Sequence, residues 1–281
     1  MIQVAYINML NHCAGMSMNE QGSGRPILVL HGGGGPGTVA GLVAHLARSH
    51  RVLAPTLPGW NGSPRPGELS SVGAYADAYT RYLAERDLSD VTVIGSSVGA
   101  WIAAELALRD GARRLAGIVI INGTGIEVPG HPITNISNFA PPQLAQVAYH
   151  DPSTFGAGMP TMTPELLANM RANQETLAAI AGRPHYMFDP TLRARLGEMR
   201  TLALVLWGES DRVVTAGYGR AYAAAIPGAS FELVAEAGHL PQLEQPTETF
   251  RRIDAFLARV SSGLASTGEA HVARVDTGKP Q

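Results

Sequence analysis

The sequence predicts an α/β protein built on a mostly parallel, doubly wound sheet, and three observations carry that reading. Short apolar runs alternate with amphipathic stretches from Pro26 to Ile121, which places helices on both faces of a buried parallel sheet. The alternation breaks from Asn122 to Arg200 and resumes at Leu202, so a separate unit is inserted between two buried strands. Val91 to Asp110 reads as strand, tight turn and helix, with Gly95-Ser96-Ser97-Val98-Gly99 at the turn. The expected organisation is a first core part over 1–121, a helical cap over 122–200, a second core part over 201–260 and a polar, irregular, flexible tail over 261–281.

Composition narrows the partners. At 281 residues and 45% hydrophobic content the chain can bury a real core as one large domain or one domain with an insertion. A net charge of -2 offers no basic stripe for nucleic acid. Apolar runs such as Gly117 to Ile121 are far too short to span a bilayer, so no membrane partner is expected. The single Cys13 excludes an internal disulfide framework, and no Lys or Arg precedes the apolar part of the N-terminus as a signal peptide requires. The expected compartment is the cytoplasm, and the oligomeric state stays open. His, Cys and carboxylates lack the short spacings of a zinc site, so neither metal nor cofactor is expected.

In chain order, Val4 to Ile7 and Met16 to Met18 are candidate edge strands, with Gln21 to Gly24 as a turn. Pro26 to Leu30 is a compact apolar strand ending in His31-Gly32-Gly33-Gly34-Gly35-Pro36-Gly37. Glycines there let backbone N–H groups approach a ligand, as phosphate cradles and oxyanion holes both require. No Lys follows Gly37, and no carboxylate stands near 20 residues downstream of the Gly32, Gly34, Gly37 pattern, so the oxyanion reading is the stronger. Thr38 is expected to cap a helix whose Val39, Leu42, Val43 and Leu46 face the sheet. Val52 to Ala54 is the next strand, followed by a loop holding Trp60, and Ser70 or Ser71 starts a helix with Val72, Tyr75, Tyr79, Tyr82 and Leu83 on one face. The strand Gly117 to Ile121 closes the first part. The insertion holds helical pieces near Pro142 to Tyr149, Thr163 to Ala181 and Pro190 to Met199. Leu202 to Trp207 and Ser230 to Val234 are strands, with a helix to Ile226 between them and a last amphipathic helix carrying Phe250, Ile253, Phe256, Leu257 and Val260.

At a strand–turn–helix of the Gly-x-Ser-x-Gly kind, the central residue takes a strained backbone conformation that lifts its hydroxyl clear of the sheet. The positions two before and two after cannot carry bulk, and Gly95 and Gly99 meet that demand around Ser97. A Ser hydroxyl needs a base within hydrogen-bond reach and a third group to fix the base's tautomer. Ligands of an open parallel sheet gather beyond the C-terminal strand ends, and Ser97, Asp211 and His239 each follow such an end in the chain order Ser, Asp, His.

With these residues in place the chain resembles the α/β-hydrolase superfamily over residues 26 to 260. The resemblance rests on His31-Gly32-Gly33, Leu57-Pro58-Gly59-Trp60-Asn61-Gly62-Ser63, the Ser97 pentapeptide, Trp207-Gly208-Glu209-Ser210-Asp211-Arg212-Val213-Val214, and Gly238-His239-Leu240-Pro241 with Glu244-Gln245-Pro246 behind it. It implies the α/β-hydrolase fold with its cap inserted after the sixth strand. It also implies Ser97 as nucleophile, His239 as base, Asp211 as orienting acid, and the N–H groups of Val98 and Gly33 as the oxyanion hole, with Gly34 a second choice. In such proteins His31 props its loop, and Asn122 stands where some members carry the acid but has no carboxylate. Glu127 is the rival acid, while Glu209, Glu236 and Glu244 read as supporting or solvated charges.

Caps in this superfamily roof the active site, so Phe139, Met159, Met162 and Phe188, with Trp60 and Leu240 nearby, are candidate substrate contacts. The expected substrate is a small or medium, largely apolar ester. Two alternatives remain: C–C bond hydrolysis of the meta-cleavage-product type, whose glycine-rich segment this one resembles, and a receptor-like binder with slow turnover. Leu240, Ser96 and Val98 depart from the C–C hydrolase pattern.

Overall fold

The computed structural model describes residues 17–154, 163–182 and 184–276, with side chains as far as Leu264. Among the described residues, seven strands form one sheet in the order β1-β3-β2-β4-β5-β6-β7. They are β1 (Ser17–Gln21), β2 (Pro26–Leu30), β3 (Arg51–Thr56), β4 (Val91–Ser96), β5 (Leu115–Ile121), β6 (Leu202–Gly208) and β7 (Ser230–Val234). Only β1 runs antiparallel, pairing Ser17 with Thr56 at one edge. The other pairings are parallel, as the short apolar runs and helical crossovers require.

Successive residues of the central strands go to opposite faces. Leu28 and Leu30, Ile118 and Ile120, and Val205 and Trp207 belong to one core. Ile27 and Val29, Val119 and Ile121, and Leu204 and Leu206 belong to the other. Burial on both faces is why these strands read as continuous apolar runs rather than alternating ones. The first core is closed by α2 (Val72–Glu85) and α3 (Val98–Leu108), and the second by α1 (Ala40–Leu46).

The insertion after β5 carries α4 (Pro141–Ala148), α5 (Pro164–Ala181) and α6 (Leu192–Arg195). After β6 come α7 (Ala216–Ala225), then, beyond β7, α8 (Pro241–Glu244) and α9 (Pro246–Asp276). Ser71 caps α2 by accepting from Ala74 N–H, and Thr163 caps α5 by accepting from Leu166 N–H.

The insertion follows β5, the fifth described strand; the expected count of six included Val4 to Ile7, which lies outside the described residues. Two expectations are corrected. Thr38 does not cap α1. A 3-10 turn over Pro36–Val39 precedes that helix, and the Thr38 hydroxyl donates back to the Gly35 carbonyl at 2.7 Å. The stretch from 261 is not irregular: α9 continues to Asp276. The Ser262 hydroxyl folds back onto Ala258 O and Leu264 packs on the core, so Ser261-Ser262-Gly263 bends nothing.

Candidate active site

The turn between β4 and α3 has the strained geometry its sequence requires. Ser97 sits at φ 55°, ψ -119°, a region that L-residues avoid unless their surroundings hold them there. A Cβ on Gly95 would lie 2.3 Å from Gly99 O, and one on Gly99 would lie 2.3 Å from Leu30 O. No side chain fits at either position. Ser97 N–H donates to Ile121 O at 2.9 Å, tying the turn to the end of β5.

From that turn Ser97 Oγ lies 3.0 Å from His239 Nε2. His239 Nδ1 lies 2.8 Å from Asp211 Oδ2. A carboxylate can only accept, so Nδ1 carries the proton and Nε2 offers its lone pair to the Ser97 hydroxyl. Asp211 Oδ1 accepts the N–H groups of Val213 at 2.7 Å and Val214 at 3.0 Å. Oδ2 also accepts Asn122 Nδ2 at 2.6 Å, while Asn122 Oδ1 takes Gly208 N–H at 3.1 Å. Four donors thus hold the carboxylate in one orientation. All three residues are buried, Ser97 and His239 at 8% exposure and Asp211 at 3%.

The glycine-rich turn after β2 lies against this chain. A Cβ on Gly32 would stand 3.0 Å from Ser97 Cβ. His31 is buried and props the turn: its Nδ1–H donates to Gly32 O at 2.7 Å and its Nε2 accepts Leu57 N–H at 3.0 Å. Burial holds its pKa down to about 4, against the weaker opposing pull of the Gly32 carbonyl, so it stays neutral and keeps its Nε2 lone pair for Leu57 N–H. Val98 opens α3, where N–H groups lack an intrahelical acceptor. Gly33 is half-buried and Gly34 is exposed. Gln242 Nε2 spans the gap from Thr38 O, at 3.2 Å, to Ser96 Oγ, at 3.4 Å.

One expected substrate contact serves another end. Trp60 has no exposed surface, and its indole N–H donates to Gly33 O at 3.0 Å. It is therefore a prop for the glycine turn rather than a wall of an open pocket. Phe188 is half-buried, stacks on His185 at 4.9 Å and forms a bridge with Gly125. Phe139 is half-buried and its N–H closes a turn onto Ile136 O. Leu240 packs with Ala148, Tyr149 and Val213 beside His239. Met159 and Met162 lie outside the described residues. Glu127 and Glu209 are exposed.

The sequence did not disclose how closely the insertion is sewn to the loops of Asp211 and His239. His239 N–H donates to Ala148 O at 2.7 Å, and Arg212 N–H to Val147 O at 3.0 Å. Glu244 bridges Gly238 N–H, at 2.6 Å, and His150 N–H, at 2.7 Å. A Cβ on Gly238 would meet Ala148 O at 2.3 Å, so glycine there admits the backbone of α4. The Gly-His-Leu-Pro and Glu-Gln-Pro runs gave the only signal of this contact. Asn122 had a signal too, standing directly beyond β5.

Among the described residues no helix is long and apolar enough to cross a membrane. The most similar curated proteins include a 2-hydroxy-6-oxononadienedioate/2-hydroxy-6-oxononatrienedioate hydrolase of Cupriavidus pinatubonensis, 27% identical with 88% of this chain and 90% of that protein covered. A 2-hydroxymuconate semialdehyde hydrolase of Pseudomonas putida is 24% identical, with 88% and 92% covered. Among solved structures, an N-acyl homoserine lactone degrading enzyme superposes with a TM-score of 0.69 at 25% identity, covering 86% of this chain and 96% of that one. A meta-cleavage product hydrolase of Pseudomonas fluorescens shares the fold with a TM-score of 0.73 at 18% identity, covering 88% and 96%. The model of the alpha/beta hydrolase family matches residues 27–253, and with the strand order and the strained Ser97 turn already in view, this chain belongs to that family of hydrolases.

Proposed function

We propose that the protein is a serine hydrolase that cleaves a small or medium, largely apolar ester through an acyl-enzyme. The observation that carries the reading is the continuous hydrogen-bonded chain from Ser97 Oγ through His239 to Asp211. As Ser97 Oγ attacks the ester carbonyl carbon, His239 Nε2 takes its proton and Asp211 stabilises the resulting imidazolium. The carbonyl oxygen becomes an oxyanion facing the N–H groups of Val98 and Gly33. Collapse breaks the bond to the alcohol, which leaves with the proton from His239, and a water then repeats the sequence on the acyl-enzyme. The half-buried Leu177 and Leu240 near the glycine turn and His239 favour an apolar acyl group. Cleavage of a C–C bond in a vinylogous diketone is the second reading, favoured by the names of the relatives at 24% and 27% identity.

Initial rates on p-nitrophenyl esters of graded chain length, beside a 2-hydroxy-6-oxodienoate, separate the two. Ester turnover well above the C–C reaction is expected, and the reverse ranking would replace the ester reading. Ser97→Ala should lower turnover on the order of 10⁶-fold, and a fluorophosphonate should label Ser97. Labelling that persists in Ser97→Ala would remove the nucleophile from this residue.

A further inference from the structure

Helix α5 lies over the core with Asn173, Thr176, Leu177 and Ile180 on one face, at the spacing that a helix turns inward. That face is fastened by polar pairs. Asn173, 4% exposed, accepts Asn61 N–H at 2.7 Å on its Oδ1, and its Nδ2 donates to Asn61 Oδ1 at 3.2 Å. The Thr176 hydroxyl donates to Gly59 O at 2.9 Å. Both partners belong to the loop after β3, and that loop also holds Trp60, whose indole N–H holds Gly33 O.

The fit is tight enough to fix the helix. Gly59 sits at φ +91°, and a Cβ there would come within 2.7 Å of Thr176 Cγ2. Gly35, at φ +86°, would place a Cβ 3.1 Å from Asn61 Oδ1 and 3.3 Å from Asn173 Nδ2. Between the fastened residues and Ile180 stands Leu177, half-buried, with its Cδ2 3.2 Å from where a Gly33 Cβ would be. Leu177 is thus held over the residue whose N–H would face the oxyanion. Its rotamers are confined from one side by the core and from the other by a helix that cannot slide without breaking three hydrogen bonds.

We propose that this polar latch makes Leu177 a fixed wall above Gly33, and that Ser97 therefore accepts acyl groups unbranched at the carbon next to the carbonyl. The inference rests on Ser97 being the acyl-accepting nucleophile. A linear acyl chain leaves the carbonyl along one direction, whereas a second substituent on the adjacent carbon has to enter the space above the glycine turn that Leu177 fills. One extra methyl in a pocket that cannot yield discriminates by roughly 10- to 200-fold.

The test compares two alkyl fluorophosphonates, one n-butyl and one sec-butyl, on the full chain, with the rate of Ser97 modification followed by intact mass spectrometry. In each reaction the Ser97 oxygen forms a bond to phosphorus, the P–F bond breaks, the hydroxyl proton passes to His239 and fluoride leaves. The n-butyl probe should react about tenfold faster or more with the parent protein. Leu177→Ala should lower that linear-to-branched ratio at least fivefold, Leu177→Phe should raise it, and Asn173→Ala, which frees the helix, should move it in the direction of Leu177→Ala. A ratio unchanged within twofold in Leu177→Ala, with Ser97 still modified, overturns this inference and leaves the serine reading standing. A shift in Leu177→Ala with none in Asn173→Ala overturns the latch. Failure of both probes to modify Ser97 overturns the serine reading, and the inference with it.

Discussion

At the end of β5 the amide of Asn122 satisfies two demands at once, donating to the Asp211 oxygen that also faces His239 and accepting Gly208 N–H from the end of β6. Asn122→Leu keeps the number and branching of side-chain heavy atoms and removes both bonds. A hydrogen bond to a charged group contributes about 1.5–3 kcal/mol, so turnover of p-nitrophenyl acetate should fall roughly 10- to 100-fold with little change in KM. A loss of thermal stability with kcat within twofold of the parent would show that Asn122 only joins strand ends. His31 leads to a different measurement, because burial lowers its pKa from 6.5 to about 4. As pH falls through 6.5 the unfolded chain binds a proton that the folded chain refuses until about 4, so stability present at neutral pH is lost across that window. The loss amounts to about 3 kcal/mol at its full extent. Urea midpoints between pH 7 and pH 4.5 should fall steeply in the parent, and less steeply in His31→Gln from a lower starting point. Parallel slopes would assign the acid sensitivity to other groups.

Elements whose local chemistry agrees with their tertiary role were legible in the chain. Pro26–Leu30 and Ser230–Val234 are strands with the bounds their apolar runs gave, and Ser71 and Thr163 start α2 and α5 because a hydroxyl there accepts a helix N–H. The turn at Ser97 was legible for the same reason, since Gly95 and Gly99 answer a steric demand set within five residues. Legibility ended where a residue's role depends on a partner far along the chain. Trp60 reads as a pocket aromatic among prolines and glycines, yet its indole is committed to Gly33 O, 27 positions away. Asn173 and Thr176 look like ordinary polar positions of α5, and only packing against Asn61 and Gly59 explains why they are buried. The length of α9 was underestimated because Ser261-Ser262-Gly263 carries a turn-like composition that a helix already anchored by Phe256 and Val260 overrides.

Across the whole molecule the segment between β5 and β6 is fixed to the core by joints that include three in particular. Residues 146–150 join the loops of Asp211 and His239, through Ala148 O, Val147 O and the Glu244 bridge. Helix α5 joins the loop after β3 through Asn173 and Thr176. Arg195, just before the chain re-enters the sheet, holds buried Glu105 of α3 with two bonds, at 2.9 Å and 2.7 Å, and also takes Asp189 at 2.8 Å. Burial alone would raise the Glu105 pKa, but Arg195 and Arg109 hold it below the ordinary carboxylate range, so this joint stays charged at neutral pH. A segment that only selected substrate would leave the Ser97, His239 and Asp211 geometry intact when removed. Here its removal withdraws the acceptors of His239 N–H and Arg212 N–H, and a displacement of about 1 Å at a reacting group can cost 100-fold in rate. Replacing residues 127–186 by a short Gly-Ser linker should therefore reduce p-nitrophenyl acetate turnover about 100-fold or more, while circular dichroism still reports the α/β core. Turnover of that small ester within a few-fold of the parent, together with a lost preference among longer esters, would instead confine the segment to substrate selection.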